Sequence, residues 1–147
     1  AVLIGLPPAV MMAAGSTIDP EVSEYNLAAL IAGKQFPLHD CGSLGLPVPA
    51  GTEIIIEGEI LPTERRPEGP FGDWMDFYIP VTNNHVFMVK RVLARDDAIF
   101  YSINPGSSEE IGITAIPVAG SIYAAVRLWA PTVSDVVPPL PRIMPAP

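Results

Sequence analysis

Two carboxylates in a segment rich in glycine and proline are the residues best placed to do chemistry. Glu68 and Asp73 lie five positions apart in residues 65–73, which read Arg-Arg-Pro-Glu-Gly-Pro-Phe-Gly-Asp. Proline restricts the backbone, and glycine lets it approach a ligand closely. Such a segment can direct both acids at one place, as general acid–base catalysis requires. The two arginines can hold one acid ionised while the other keeps its proton. The alternative is a surface loop whose acids are simply solvated.

A third carboxylate, Glu24, lies in the first turn of a predicted helix. Ser23 is suited to cap that helix, apolar residues 27–31 follow, and Gly33 ends it. A helix N-terminus attracts anions, and a carboxylate there can share a cation with a phosphate. The simpler alternative is that Glu24 only stabilises the helix dipole.

Composition excludes several classes of protein. The chain has 147 residues, the size of one ordinary domain, and is 49% hydrophobic and 16% charged, which excludes general disorder. A net charge of -8 makes a nucleic acid a poor partner. Cys41 is the only cysteine, so no intrachain disulfide can form, and neither histidine has a second ligand at zinc-binding spacing. No apolar run reaches the ~20 residues of a membrane helix, so no membrane span is expected.

The apolar content and the start of the chain both suggest that this sequence belongs to something larger. The chain has more apolar surface than one small domain needs, so we expect a partner or a further domain to cover part of it. It begins on an apolar strand without an initiator methionine. We therefore expect a piece of a longer protein.

The elements that must position the acids follow a mixed pattern. Helices are predicted at 8–14, from Ser23 to Gly33, and from Ser107 or Ser108 onward with an interruption at Pro117. Strands are predicted at 2–6, 35–41, 52–61, 77–81, 85–93, 98–103 and 132–137. The predicted connections are a rigid connector at 46–51, a long loop at 63–73 and turns at 83–84 and 96–97. This order predicts an α+β domain built on a small antiparallel sheet or barrel.

Residues 67–73 resemble the signature of the UbiD-type decarboxylases, which use prenylated FMN. Three other stretches resemble the same family: Ser-Glu-Tyr-Asn-Leu-Ala at 23–28, Val-Pro-Ala with Glu-Ile-Ile-Ile-Glu-Gly within 48–58, and the segment 86–99 ending in Asp-Ala-Ile. These stretches occur in the family's order and at its spacing. The resemblance therefore covers the chain up to about Val137.

The resemblance implies an enzyme, a carboxy-lyase that reversibly decarboxylates an aromatic or α,β-unsaturated carboxylic acid without oxidation. Asp73 matches the acid that donates the proton, and Glu68 would complete a charge network with an arginine from another part of the protein. Glu24 matches a glutamate that binds a divalent metal, Mn²⁺ being the expected ion and K⁺ a second candidate. That metal bridges to the cofactor phosphate, and Ser16 falls where the family's chain approaches the cofactor.

The resemblance also implies an architecture and partners. The expected fold is α+β, a small antiparallel split β-barrel of the flavin-reductase-like FMN-binding type with flanking helices. Residues 1–137 would be the central cofactor-binding domain and 138–147 a Pro-rich tail. The expected partners are the remaining N- and C-terminal regions of the enzyme and further copies in a homo-oligomer, with the cytoplasm as the location. Two positions depart from the family: Asp73 stands where glutamate is more usual, and Asp76 where glycine is usual.

Two alternatives from other functional classes stay open. One is a non-catalytic module that binds flavin or assists assembly. The other is a structural fragment whose apolar face pairs with a second chain.

Overall fold

The computed structural model describes residues 1–41, 44–74 and 77–137, and it divides the chain into two compact units. Unit 1 is built from Ala1–Pro7 and Phe36–Pro105, and unit 2 from Pro8–Gln35 and Gly106–Pro147. The predicted tail at 138–147 and the unusual Asp76 lie outside the described residues.

Unit 1 holds all the strands of the described chain. They are β1 (Val2–Ile4), β2 (Leu38–Asp40), β3 (Pro47–Pro49), β4 (Ile54–Glu68), β5 (Phe71–Gly72), β6 (Tyr78–Ile79) and β7 (Thr82–Ala94). They pair antiparallel in three sheets, ordered β1-β4-β7, β2-β3 and β5-β6. With the three helices of unit 2, this confirms a mixed helical and antiparallel fold. Within the described ranges the strands form no closed barrel, so the split barrel stays a prediction.

The ribbon of β4 and β7 is longer than the sequence predicts. The predicted loop at 63–73 is wrong, because β4 continues to Glu68, and the predicted turn at 83–84 is wrong, because both asparagines pair within β7. Two irregularities interrupt the pairing, between Glu57 and Gly58 and between Ile60 and Arg65. Extra residues at such bulges bend a strand without ending it, and the polar, proline-containing sequence after Leu61 hides this continuation.

Three other predictions fail for related reasons. The predicted strands at 98–103 and 132–137 are irregular in the structure, since their β-branched and aromatic residues find no partner strand among the described residues. Conversely, the connector at 46–51 contains β3, which pairs with β2 even though two of its three residues are prolines. Strand propensity is expressed only where a neighbouring strand is available.

A buried polar contact lies where the long ribbon meets the loop after β2. Glu57 of β4 is 0% exposed, and its Oε2 lies 4.0 Å from Nη1 of Arg91, the residue directly opposite on β7. The same Nη1 donates to the carbonyl of Cys41 at 3.4 Å. Burial raises the pKa of the Cys41 thiol above its ordinary value, and the charges of Glu57 and then Asp40 raise it further.

Unit 2 contains three helices whose ends follow the predicted capping. They are α1 (Pro8–Ala14), α2 (Glu24–Ala32) and α3 (Ser108–Arg127). The hydroxyl of Ser23 accepts from the N–H of Tyr25 at 3.3 Å, and Gly33 closes α2 with a φ of 66°. Ser107 caps α3 by accepting from the N–H of Glu110 at 3.2 Å. The helix continues through Pro117, so the predicted interruption there is wrong.

Small residues form the core of unit 2, and many large apolar ones stay outside. Ala13 of α1 and Ala28 of α2 are fully buried, which lets the two helices approach closely. By contrast, Leu30 is 79% exposed and Trp129 is 90% exposed. The apolar surface expected from composition is therefore present. Of the helices that the structure describes, none is long and apolar enough to cross a bilayer.

Replacing Glu57 by alanine should lower the free energy of unfolding of the chain by about 1–3 kcal/mol, because the contact with Arg91 is lost at a buried position. Glu59→Ala is the matched control, since Glu59 makes an exposed ion pair with Lys90 at 2.8 Å. The control should cost less than about 1 kcal/mol. Urea unfolding followed by circular dichroism measures both, and equal losses would contradict the buried role of Glu57.

The raised pKa of Cys41 predicts a loss of stability at alkaline pH. Above the ordinary thiol pKa of 9.0 the unfolded chain releases the thiol proton while the folded chain retains it, so folding becomes less favourable as pH rises. The wild type should therefore lose stability relative to Cys41→Ala between pH 8 and pH 10. Urea unfolding of both chains at each pH gives this difference, and a constant difference would exclude the effect.

Candidate functional site

The glycine-rich segment connects the end of the long ribbon to a small hairpin. Glu68 is the last residue of β4 and pairs with Thr82 of β7, and β5 follows after Gly69 and Pro70. Gly69 has a φ of 105°, a conformation that side chains strongly disfavour. The glycine therefore allows the chain to turn from the ribbon into the hairpin that carries the second acid.

Asp73 directly follows β5, where the chain leaves the paired part of the β5–β6 hairpin, and it lies in the wall of a cavity. Its backbone N–H donates to the carbonyl of Phe77 at 2.8 Å, which fixes the position of its Cα. The side chain is half-buried and lines a cavity of about 250 Å³ together with Phe77, Tyr78 and Asn104. The cavity is of the size of a small aromatic ring and combines aromatic walls with polar groups. It can therefore hold a small apolar molecule next to a carboxyl group.

The glycine before Asp73 is required by close packing. A Cβ at Gly72 would lie 2.8 Å from the Cβ of Pro105, a distance that no side chain tolerates. Pro105 also lines the cavity. The glycine thus lets the loop at Pro105 contact the hairpin directly and complete the wall beside Asp73.

Glu68 has a different environment from Asp73. It is exposed, and its Oε2 accepts a hydrogen bond of 2.5 Å from Nδ2 of Asn84 on β7. Of the described residues in this part of the fold, Glu68 is not among those that line the cavity beside Asp73. The two acids therefore belong to one connected segment but contact different surroundings.

The two arginines of the motif do not bind the two acids as the sequence suggested. Arg66 pairs with Glu64 at 2.6 Å, and Arg65 bonds to Nε2 of His85 at 2.7 Å and to the carbonyls of Pro62 and Glu64. Arg65 leaves β4 on the face opposite to Glu68, whereas Arg66 shares the face of Glu68 but is engaged by Glu64.

Ser16 lies in unit 2, where it lines a cavity of about 300 Å³ among the three helices. The other walls are mainly apolar, with Ile18, Leu27 and Ile116 among them. The hydroxyl of Ser16 donates to the carbonyl of Met12 at 2.8 Å, so its proton is in use and its oxygen can still accept. This site fits the edge of a flat, largely apolar ring that offers an N–H or O–H. It fits a phosphate less well, because a phosphate needs donors.

Glu24 is exposed in the first turn of α2, next to the capping Ser23. The described ranges contain no group of three or more His, Cys, Asp or Glu side chains that could hold a metal ion. Glu24 can therefore supply one carboxylate ligand, and further ligands would have to come from elsewhere. An exposed carboxylate of this kind fits a shared metal site rather than a site enclosed by this chain.

Sequence reasoning identified the acids but missed the residues around them. Glu68 and Asp73 both lie in unit 1, and Ser16 and Glu24 both lie in unit 2. The cavity residues Tyr78 and Asn104, and Asn84 beside Glu68, carried no motif of their own. The sequence did contain a signal for the position of Asn84, because the pattern of residues 82–86 is as compatible with a strand as with a turn.

Comparison with known proteins places this geometry in a family. Residues 1–108 match the family model described as UbiD, the 3-octaprenyl-4-hydroxybenzoate carboxy-lyase Rift-related domain. The UbiD-class enzyme HmfF from Pelotomaculum thermopropionicum, solved in complex with FMN, is 34% identical with a TM-score of 0.84. An evolved dimeric form of HmfF in complex with prFMN is also 34% identical, with a TM-score of 0.85.

A further similar structure is the vanillic acid decarboxylase of Sedimentibacter hydroxybenzoicus in its open form, which is 26% identical with a TM-score of 0.81. Each match covers 90% of this chain, whereas this chain covers 30% of HmfF in the FMN complex, 31% of the dimeric form and 30% of the vanillic acid decarboxylase. The chain thus spans about a third of the length of these enzymes. The family model extends over well more than half of the chain and includes the ribbon, Glu68 and the hairpin with Asp73, and the chain therefore belongs to the UbiD family of carboxy-lyases.

Proposed function

We propose that this chain is the cofactor-facing part of an enzyme that decarboxylates an aromatic or α,β-unsaturated carboxylic acid, with Asp73 as the proton donor. The observation that carries the proposal is the half-buried carboxyl of Asp73 in the wall of a cavity of about 250 Å³ lined by aromatic side chains. Family membership supports the reaction class. A matched structure is a vanillic acid decarboxylase, which supports an aromatic acid as the substrate class.

In this proposal Asp73 carries out a single proton transfer, to the carbon that loses CO₂. When the bond between the carboxylate and its carbon breaks, CO₂ leaves and the bonding electrons stay on that carbon. The carboxyl proton of Asp73 then forms the new C–H bond, and water returns a proton to the carboxylate. The bond from the Asp73 N–H to the Phe77 carbonyl fixes the backbone that carries the acid at the cavity wall.

Glu68 has a supporting electrostatic role in this proposal. Within the chain its carboxylate accepts a hydrogen bond from the neutral amide of Asn84, so its negative charge is not cancelled there. That charge can hold an arginine supplied by another region of the enzyme, as the resemblance to the family implies. Such a pair would bind the substrate carboxylate.

The proposed cofactor is prenylated FMN, with a divalent metal such as Mn²⁺ and with K⁺ as a second ion. When bound, prenylated FMN supplies the electron sink for the charge left by the departing CO₂. Ser16 would contact the ring edge through its hydroxyl oxygen, and Glu24 would give one carboxylate to the metal. The structures of HmfF with FMN and with prFMN support a flavin.

The proposal also includes the context of the chain. Its partners would be the remaining N- and C-terminal regions of the enzyme and further copies in a homo-oligomer, which the exposed Leu30 and Trp129 and the dimeric form of HmfF support. With those regions in place, the strands of unit 1 would complete a split barrel. The single free cysteine suits a reducing compartment such as the cytoplasm.

The variant Asp73→Asn tests the proton donor. In the complete natural polypeptide that contains this sequence, reconstituted with prenylated FMN and Mn²⁺, the variant should keep the flavin absorption spectrum. Its decarboxylation of a panel of aromatic acids that includes vanillic acid should fall about 100-fold or more, because the amide has no proton to give. Substrate turnover by chromatography and the flavin spectrum are the two measurements.

Asp97→Asn is the control for this experiment, since Asp97 is exposed and contacts only Arg95 among its described partners, at 3.3 Å. It should keep wild-type turnover. Normal turnover by Asp73→Asn would overturn the assignment of Asp73. A wild-type protein that binds flavin but converts no acid would favour the non-catalytic flavin-binding module.

Glu24→Gln tests the metal ligand in the same protein. Loss of a charged ligand should raise the Mn²⁺ concentration needed to half-saturate the protein with metal by about 10-fold or more. The paramagnetic resonance signal of free Mn²⁺ during a titration measures this directly. Glu21→Gln, an exposed neighbour in the lead-in to α2, should leave the titration unchanged. Equal titrations for both variants would exclude Glu24 from the metal site.

A further inference from the structure

The end of the β4–β7 ribbon places one asparagine directly beside the exposed acid of the motif. Arg66 pairs with Asn84 and Glu68 pairs with Thr82 in the antiparallel register. Glu68 and Asn84 are therefore diagonal neighbours on the same face of the ribbon, within reach of a side-chain contact. Nδ2 of Asn84 donates to Oε2 of Glu68 at 2.5 Å.

The opposite face of the ribbon holds a second contact that fixes the same register. Arg65 and His85 are directly opposed, and Nη2 of Arg65 lies 2.7 Å from Nε2 of His85. A guanidinium can only donate, so Nε2 of His85 is the acceptor in this contact. Because this rung lies one residue from Asn84, the ribbon cannot slip without breaking contacts on both faces.

The contact between Asn84 and Glu68 differs from an ion pair because its donor is an uncharged amide. The nearest cation on the same face is Arg66, and it is engaged by Glu64 at 2.6 Å. Glu68 is left with a neutral amide donor, which orients a carboxylate without neutralising it. A carboxylate that is oriented and still fully charged suits the binding of a cation from outside the chain.

We propose that Asn84 is a positioning residue that sets the direction of the Glu68 carboxylate while leaving its charge intact. The role rests on the proposed function, because Glu68 matters to turnover only if this segment forms the active site. The contact itself can be measured independently of turnover. Asn83 provides an internal comparison, since it is exposed, opposes Pro67 and projects from the other face of β7.

Asn84→Asp is the decisive variant in the complete natural polypeptide loaded with prenylated FMN and Mn²⁺. It keeps the side-chain shape but replaces the N–H donor by an oxygen that repels Glu68. The value of kcat/KM should fall about 10- to 100-fold. Asn83→Asp adds the same charge one residue away and should stay within about twofold of the wild type. Equal effects of the two variants, at equal flavin content and melting temperature, would overturn the proposal.

The pH profile separates positioning from a merely structural defect. As pH falls toward 5, the introduced carboxyl group at position 84 takes up a proton and becomes an O–H donor again. The ratio of Asn84→Asp to wild-type turnover should therefore rise at low pH. The other charged side chains on that face are Glu64, Arg66 and Glu68, and both proteins contain them. Asn84→Ala cannot regain a donor and should show a constant ratio. A flat ratio for Asn84→Asp would count against the proposal.

A nuclear magnetic resonance measurement keeps the inference distinct from the proposed function. The side-chain amide signal of Asn84, assigned by its loss in Asn84→Ala, should shift in Glu68→Gln and stay unchanged in Asp97→Asn. If that shift occurs in a protein that converts no acid, the proposed function fails and the positioning contact stands. If Glu68→Gln leaves the signal unmoved, the positioning role is excluded whatever the activity.

Discussion

The antiparallel pairing of β4 with β7 is the constraint on which the site in unit 1 depends. Glu68 is the last paired residue of β4, and the hairpin that leads to Asp73 begins three residues beyond it, so the register of the ribbon determines where both acids lie. A shift by one residue would move each side chain to the other face. Contacts at Glu57 and Arg91 near one end, and at Arg65 and His85 near the other, hold that register.

The charges and contacts along this ribbon give the two motif acids distinct surroundings. Glu64 and Arg66 neutralise each other, and Lys90 satisfies Glu59. Glu68 contacts a neutral amide, whereas Asp73 faces a cavity with aromatic walls. One acid is thus exposed beside a neutral amide, and the other borders a cavity. Environment, rather than residue type, separates the two carboxylates.

Much of this arrangement could be predicted from the sequence, and the errors have a common cause. The helix caps at Ser23 and Gly33 were predicted correctly, and Ser107 is one of the two serines predicted to cap α3, because capping depends on residues within one turn. The continuation of β4 through residues 62–68 was missed, since its polar and proline residues form a strand only because β7 lies alongside. The acids were found from their motif, but the partner Asn84 is brought to Glu68 by long-range pairing that no local pattern encodes.

The order of the strands along the chain has a consequence for how the protein is made. Val2 pairs with Ile56, yet both α1 and α2 lie between them in the sequence. At about 5–20 residues per second, a ribosome releases β1 roughly 3–10 s before its partner strand emerges. During synthesis the three apolar residues of β1 therefore have no β4 to pair with, while α1 and α2 can already form. Until Ile54 to Ile56 have been made, the backbone N–H and C=O groups of β1 lack their partners on β4, so β1 is a segment that chaperones can bind.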